Sequence, residues 1–295
     1  MDRSERGKLA LTGAEAKSFL AGQVTNDVDA LETGRGCYAA LLTHKGKMIA
    51  DLRILDLGSE LWLDTERSAL QALFDALRRH LVGFDAELHK RTLQQGLLSL
   101  IGPRARDVLG PAAPDAEEHS SAPATLAGTA VTLVATDVGV DVICAADDTD
   151  AVAAALVDEG AASVSVDAAE CLRVENGRPR YGIDMDDSTI PQEAALNERA
   201  VSFTKGCYVG QETVARLYYK GKPNRRLLGL KLSAPARSGD ALRLGEKAVG
   251  TVGTVAVSPA FGPIGLALVR REAGPGDQLA VGDGDLTATV VDLPF

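Results

Sequence analysis

Residues 203–217 read FTKGCYVGQETVARL, and within them Lys205-Gly206-Cys207-Tyr208-Val209-Gly210-Gln211-Glu212 is the least ordinary run of the chain. Two glycines bracket a Cys and a Tyr. Beyond Gly210, apolar Val214 and Leu217 alternate with charged Glu212 and Arg216 at helical spacing. The pattern predicts a glycine-punctuated loop running into a helix. A helix start there turns free N–H groups back toward the loop. Cys207 then lies ahead of a positive helix end, with Lys205 two residues away, which are conditions that favour a thiolate. The other reading of Cys207 is a small Cys packed into a tight turn. Glu212 either caps the helix start or, with Gln211, orients Cys207 or a ligand beside it.

Downstream, residues 219–224 (YKGKPN) read as a linker. From Arg225 onward the runs 225–232, 241–244, 248–258, 265–269, 278–281 and 287–291 are short, apolar and separated by Gly and Pro. No helical stretch intervenes, so residues 225–295 are expected to form a small β-barrel domain. Upstream, residues 36–42 and 48–57 read as two strands joined by the hairpin loop 43–47. Residues 60–64, with the only Trp, make a third. Leu70, Leu73, Phe74 and Leu77 recur at helical spacing within 66–80, with Arg78 and Arg79 in the last turn. Residues 84–88, 95–102, 131–135, 138–145 and 164–166 read as strands, and 149–159 and 168–175 as helices. Residues 110–124, rich in Pro, Ala, Glu and Ser, read as an exposed loop, and Thr25-Asn26-Asp27 as a local turn. Long parallel crossovers are absent, which gives an α+β class with antiparallel sheets. Residues 1–220 are expected to hold two such lobes, split near 102–128.

The chain of 295 residues is long enough for two or three packed units. It holds no run of about 18 apolar residues for a membrane span. Its charged first residues lack a signal-peptide core, so a cytoplasmic location is expected. A net charge of −10 with 4% aromatic residues disfavours a nucleic-acid surface. Cys37, Cys144, Cys171 and Cys207 form no CxxC pair, and the four His are dispersed. No metal-ligand spacing is present. Asp184, Asp186 and Asp187 lack the Gly and distant acid of a calcium loop. Arg173 and Glu175, two apart, are candidates for an ion pair or a structural contact.

The run KGCYVGQE at 205–212 resembles the signature of the YgfZ family, folate-binding proteins that assist iron–sulfur enzymes. That family is similar to the T-protein, the aminomethyltransferase of the glycine cleavage system. LAGQVTNDVDAL at 20–31 and LRVENGRPRYGIDMDDSTIPQEAAL at 172–196 extend the resemblance, which is weakest between 102 and 167. It implies antiparallel-sheet, folate-binding lobes of the T-protein type and a bound tetrahydrofolate. Glu193 matches the carboxylate that accepts two N–H bonds from the pterin edge, although a helix-start carboxylate would look the same. Tyr181 is a candidate for the ligand wall, and Arg225 or Arg226 for the folate glutamate tail. Where the T-protein carries Gly-Gly and a pair of aspartates, this chain reads Gly46-Lys47-Met48-Ile49-Ala50-Asp51: one glycine has become Lys47, one carboxylate Ala50, and Asp51 survives. The resemblance implies support of iron–sulfur cluster assembly or repair, with Cys207 as the reactive group. Client enzymes or cluster-assembly proteins would be its partners. The alternatives are a folate-dependent aminomethyltransferase acting on a lipoyl-bound donor, and a folate-dependent demethylase module.

Overall fold

The computed structural model describes residues 1–295 and holds fifteen strands and seven α-helices. They gather into two compact units that interleave along the chain. One comprises Met1–Leu42, Ile49–Ser165 and Arg199–Val209; the other comprises Thr43–Met48, Val166–Glu198 and Gly210–Phe295.

The first unit is built on two antiparallel sheets. Strands β1 (Gly7–Thr12), β2 (Gly36–Leu42), β3 (Met48–Asp56), β4 (Leu61–Thr65) and β5 (Glu87–Lys90) lie in the order β2-β3-β4-β1-β5. Strands β6 (Gln95–Ile101), β7 (Ser121–Leu126), β8 (Thr129–Thr136) and β9 (Gly139–Ala145) lie in the order β6-β9-β8-β7. Leu55 and Trp62 of the first sheet pack on Leu97, Val134 and Ile143 of the second. Each such side chain contributes roughly 1.5–3 kcal/mol by leaving water. β3 is buried along nearly its whole length, which is why its residues alternate only partly. Helices α1 (Ala16–Ala21), α2 (Leu70–His80), α3 (Ala105–Leu109) and α4 (Thr149–Asp158) bury one face each, α2 through Leu73 and Leu77.

Three sequence expectations shift here. Residues 121–124, expected within an exposed loop, belong to edge strand β7, with Ser121 opposite Val134. Its half-exposed Ser, Ala, Pro and Thr give no apolar run, and Pro123 is tolerated because one side of an edge strand is unpaired. The strand expected at 84–88 is β5, displaced to Glu87–Lys90, where Leu88 meets Leu11 of β1. Residues 164–166 make no strand; Val166 instead opens helix α5 (Val166–Glu175).

The second unit contains α5, a closed barrel and helix α7 (Gln211–Lys220); between α5 and α7, α6 (Asn197–Ala200) leads the chain back into the first unit. Strands β10 (Arg225–Leu232), β11 (Ala241–Leu244), β12 (Lys247–Ser258), β13 (Gly262–Arg270), β14 (Gln278–Val281) and β15 (Thr287–Val291) close in the order β10-β13-β12-β11-β14-β15. Leu230, Leu242, Val252, Val269, Leu279 and Val290 fill the interior. Closure leaves no free sheet edge. The register of β12 shifts between Val252 and Val255. There a Cβ on Gly253 would stand 2.4 Å from Asp184 Oδ1. Only glycine lets that carboxylate reach the strand, where the Thr254 N–H donates to it at 2.7 Å. Arg173 joins the same carboxylate at 2.9 Å and Glu170 at 2.8 Å. The expected Arg173–Glu175 pair does not form, because residues two apart face different sides of a helix. Glu175 instead accepts the Ser258 hydroxyl at 2.5 Å.

Candidate functional site

The residues singled out in the sequence fall in both units. Asp51, Lys205, Gly206, Cys207 and Tyr208 belong to the first, and Tyr181, Glu193, Gly210, Gln211, Glu212, Arg225 and Arg226 to the second.

In the first unit, β2 and β3 are neighbouring strands of the five-stranded sheet. They bring Tyr38 and Asp51 together, and the Tyr38 hydroxyl donates to Asp51 Oδ2. Asp51 is 7% exposed, and its Oδ1 has no hydrogen-bond partner. Burial pushes its carboxyl up to about 6, against the opposing pull of the Tyr38 hydrogen bond and of Arg6, with Glu66 adding to the rise. Its own carbonyl accepts the Thr65 hydroxyl at 2.6 Å, which fixes the backbone. Around Tyr38, the Asn26 amide donates to Tyr38 O at 2.8 Å and to Arg199 O at 3.2 Å. The Arg199 guanidinium lies 5.4 Å from the centre of the Tyr38 ring, within cation–π range. Thr25 donates to Ala200 O at 2.5 Å and accepts the Ala40 N–H at 2.8 Å. Thr25 and Asn26 thus tie distant segments, while Asn26 Oδ1 also accepts the Asp27 N–H at 2.9 Å within the expected local turn.

The signature loop is anchored from both sides. Lys205 Nζ donates to Ala21 O at 2.5 Å and to Val24 O and Asn26 O, each at 2.9 Å. These carbonyls lie at and beyond the C-terminal end of α1, where a cation is favoured. Burial pulls the Lys205 ammonium below its usual proton affinity. The ammonium expected to favour a Cys207 thiolate is therefore committed to backbone carbonyls. It also stands 5.3 Å from the Tyr208 ring centre. Tyr208 is buried, and burial pushes its phenol up to about 12. The Val209 N–H donates to Gly22 O at 3.3 Å. Between these anchors Cys207 is exposed. The other thiols are held protonated by burial: Cys37 is pushed up to about 12, and Cys144 and Cys171 are also raised. Gly206 has nothing within 4 Å of a built Cβ, whereas Gly210 has φ +85° and starts α7. Of the two signature glycines, only Gly210 is required by its backbone. Gln211 and Glu212 form the first turn of α7, where the dipole favours the carboxylate.

In the second unit Glu193 is 5% exposed. Arg225 forks onto it, Nε to Oε1 at 3.2 Å and Nη2 to Oε2 at 2.9 Å. Oε2 also takes the Ile190 N–H at 3.1 Å, and Lys47 Nζ lies 4.0 Å away. Arg225 thus orients Glu193, in place of the free tail-binding cation expected from the sequence. Ala195 nearby holds φ +57°, and the side-chain oxygens of Gln192 and Asn197 have no partner. Tyr181 is half-buried and bridges to Met185, while Arg226 is exposed on β10. Asp186 accepts bonds from Ser188 and Thr189.

Sequence reasoning missed Tyr38, Asn26 and Arg199. Counting back from the hairpin loop sets Ala39, not Tyr38, opposite Asp51, and nothing local announces Tyr38, Asn26 or Arg199.

Comparison with known proteins places this architecture. Residues 1–205 match the GCVT N-terminal domain, and residues 225–295 match the glycine cleavage T-protein C-terminal barrel domain. The chain belongs to the GCVT family. It is 29% identical over 308 residues to an aminomethyltransferase of Rubrobacter xylanophilus, spanning 100% of this chain and 82% of that one. Its fold is similar to that of the glycine cleavage system aminomethyltransferase T of Bartonella henselae. There the TM-score is 0.88 at 26% identity, over 99% of this chain and 84% of that one. No helix is long and apolar enough to cross a membrane.

Proposed function

We propose that the chain is a folate-dependent one-carbon transferase of the aminomethyltransferase type. Similarity to aminomethyltransferases along the whole chain carries this reading. The donor set agrees with it. Asp51 is a buried carboxyl with one oxygen that no protein group meets, and Glu193 is a buried carboxylate held in a fixed orientation by Arg225. Tetrahydrofolate would supply the nitrogens that accept the one-carbon unit. Glu193 would hold the pterin edge, Arg225 would keep that carboxylate aligned, and Arg226 would be left to meet an anionic tail. Asp51 would accept a hydrogen bond or a proton at Oδ1, and its burial strengthens any such bond.

A second reading, iron–sulfur cluster maintenance by a YgfZ-type protein, is favoured by Cys207. It is the exposed cysteine, set in a loop pinned at Lys205 and Tyr208. Lys47 and Ala50, where the T-protein has Gly and Asp, point the same way. Cluster-assembly proteins or iron–sulfur enzymes would then be the partners.

Calorimetric titration with tetrahydrofolate, followed by addition of an aminomethyl-loaded lipoyl carrier, tests both. Saturable binding is expected, weakened by about 1–3 kcal/mol in Glu193→Gln, with a carrier-dependent one-carbon folate product. Binding without product, together with loss of iron–sulfur enzyme activity in cells carrying Cys207→Ser, would favour the second reading. Absence of binding would end both.

A further inference from the structure

We propose that Tyr38 is a positioning residue: its hydroxyl occupies Asp51 Oδ2 and leaves Oδ1 as the one oxygen that meets a ligand's donor. This rests on the reading that Asp51 faces the folate-borne substrate. A carboxylate has two equivalent oxygens on a rotatable bond, and unless one is tied down, either can turn to a ligand. Here Oδ2 is tied by the phenol and Oδ1 is left without any partner, although the residue is 7% exposed. A buried acceptor without a partner is costly, and that oxygen is open to a donor from a ligand.

Tyr38 is itself fixed from three directions. Its carbonyl takes the Asn26 amide, its ring lies under Arg199, and its hydroxyl faces Asp51. Burial holds its phenol protonated and therefore donating. The other charged groups facing the pair are Arg6 and Glu66, which bond to each other, and Arg199, which is held by Glu118. Arg6 is further committed to Asp64 at 2.9 Å. None of these offers Asp51 Oδ1 a hydrogen bond, and Tyr38 is the one side chain that hydrogen-bonds the carboxyl.

Tyr38→Phe keeps the ring and its place under Arg199 while deleting the donor. Isotope-edited infrared titration of the Asp51 carboxyl, assigned with Asp51→Asn, should find a wild-type midpoint of about 6. The midpoint should rise by about one pH unit in Tyr38→Phe, the effect of losing one hydrogen bond to the charged form. Tetrahydrofolate affinity should fall about two-fold at pH 7 and about ten-fold at pH 5 in the variant, and recover as the pH is raised above the new midpoint. A purely packing role would move neither the midpoint nor the pH at which binding recovers. Identical midpoints in the two proteins would overturn the proposal, as would a shifted midpoint with unchanged affinity. Wild-type protein that takes up no tetrahydrofolate would sink the folate reading, and the carboxyl titration would still decide whether Tyr38 positions Asp51.

Discussion

Asp51 and Asp64 sit on neighbouring strands of one sheet, at 7% and 1% exposure, and differ only in their company. Arg6 and Arg53 both grip Asp64, at 2.9 and 2.7 Å, and hold its carboxyl well below the usual carboxylate range. Arg53 continues to Asp141 at 2.7 Å, which the Ser99 hydroxyl bonds at 2.6 Å. That region is a closed ionic network in which the groups answer one another. Asp51 meets a neutral phenol and an unanswered oxygen, and its carboxyl rises instead. Burial alone therefore does not say what a carboxylate is for. A guanidinium partner makes it a fixed anion that joins strands, and a phenol partner makes it a group that titrates near neutrality and can serve chemistry.

The largest break in this comparison should come from Asp64→Asn. Two buried guanidiniums lose their shared counter-charge, so the fold should lose about 3–5 kcal/mol, the range for removing one member of a buried pair. Denaturant unfolding at pH 7 measures it, and a loss under about 1 kcal/mol would mean the network is not closed as described.

Asp51→Asn should act in the opposite sense. The folded carboxyl titrates at about 6 and the unfolded one near the ordinary 3.8. The folded state therefore holds the extra proton between those values. Stability falls as pH rises through that window, and the loss is complete above it. The neutral amide escapes this and should be more stable than wild type by up to about 3 kcal/mol at pH 8, converging near pH 4. A variant less stable at pH 8 would show that Asp51 is a structural anion after all.

The smallest effect sharpens the role of Arg53. Burial, with Arg53 and Arg199 nearby, lowers His119 to about 3, and its Nδ1 has no partner. Here the unfolded state takes the proton first, so stability is lost as pH falls below about 6.5. The loss should be about 1 kcal/mol between pH 6.5 and 5.5. His119 has φ +70°, which Asn also tolerates. His119→Asn should therefore remove that slope in thermal melts while leaving the pH 8 value close to wild type. An unchanged slope would assign the acid sensitivity to other groups.

The sequence by itself determined the elements whose burial follows a local rhythm. The short runs from Arg225 onward became the six-stranded barrel, Leu73 and Leu77 set the buried face of α2, and Gly210 marked the start of α7. The resemblance drew attention to Asp51, Glu193 and Cys207. Only the tertiary structure decided what these residues meet. β7 exists because β8 offers it an edge, which its own Ser, Ala and Pro do not announce. Lys205 answers carbonyls about 180 positions earlier, Arg225 answers Glu193 from the start of the barrel, and Tyr38 reaches Asp51 from the neighbouring strand. Periodicity reports which face of an element leaves water. Proton affinity and orientation depend on which distant charge or hydroxyl the fold sets within about 3 Å, and a linear pattern does not encode that distance.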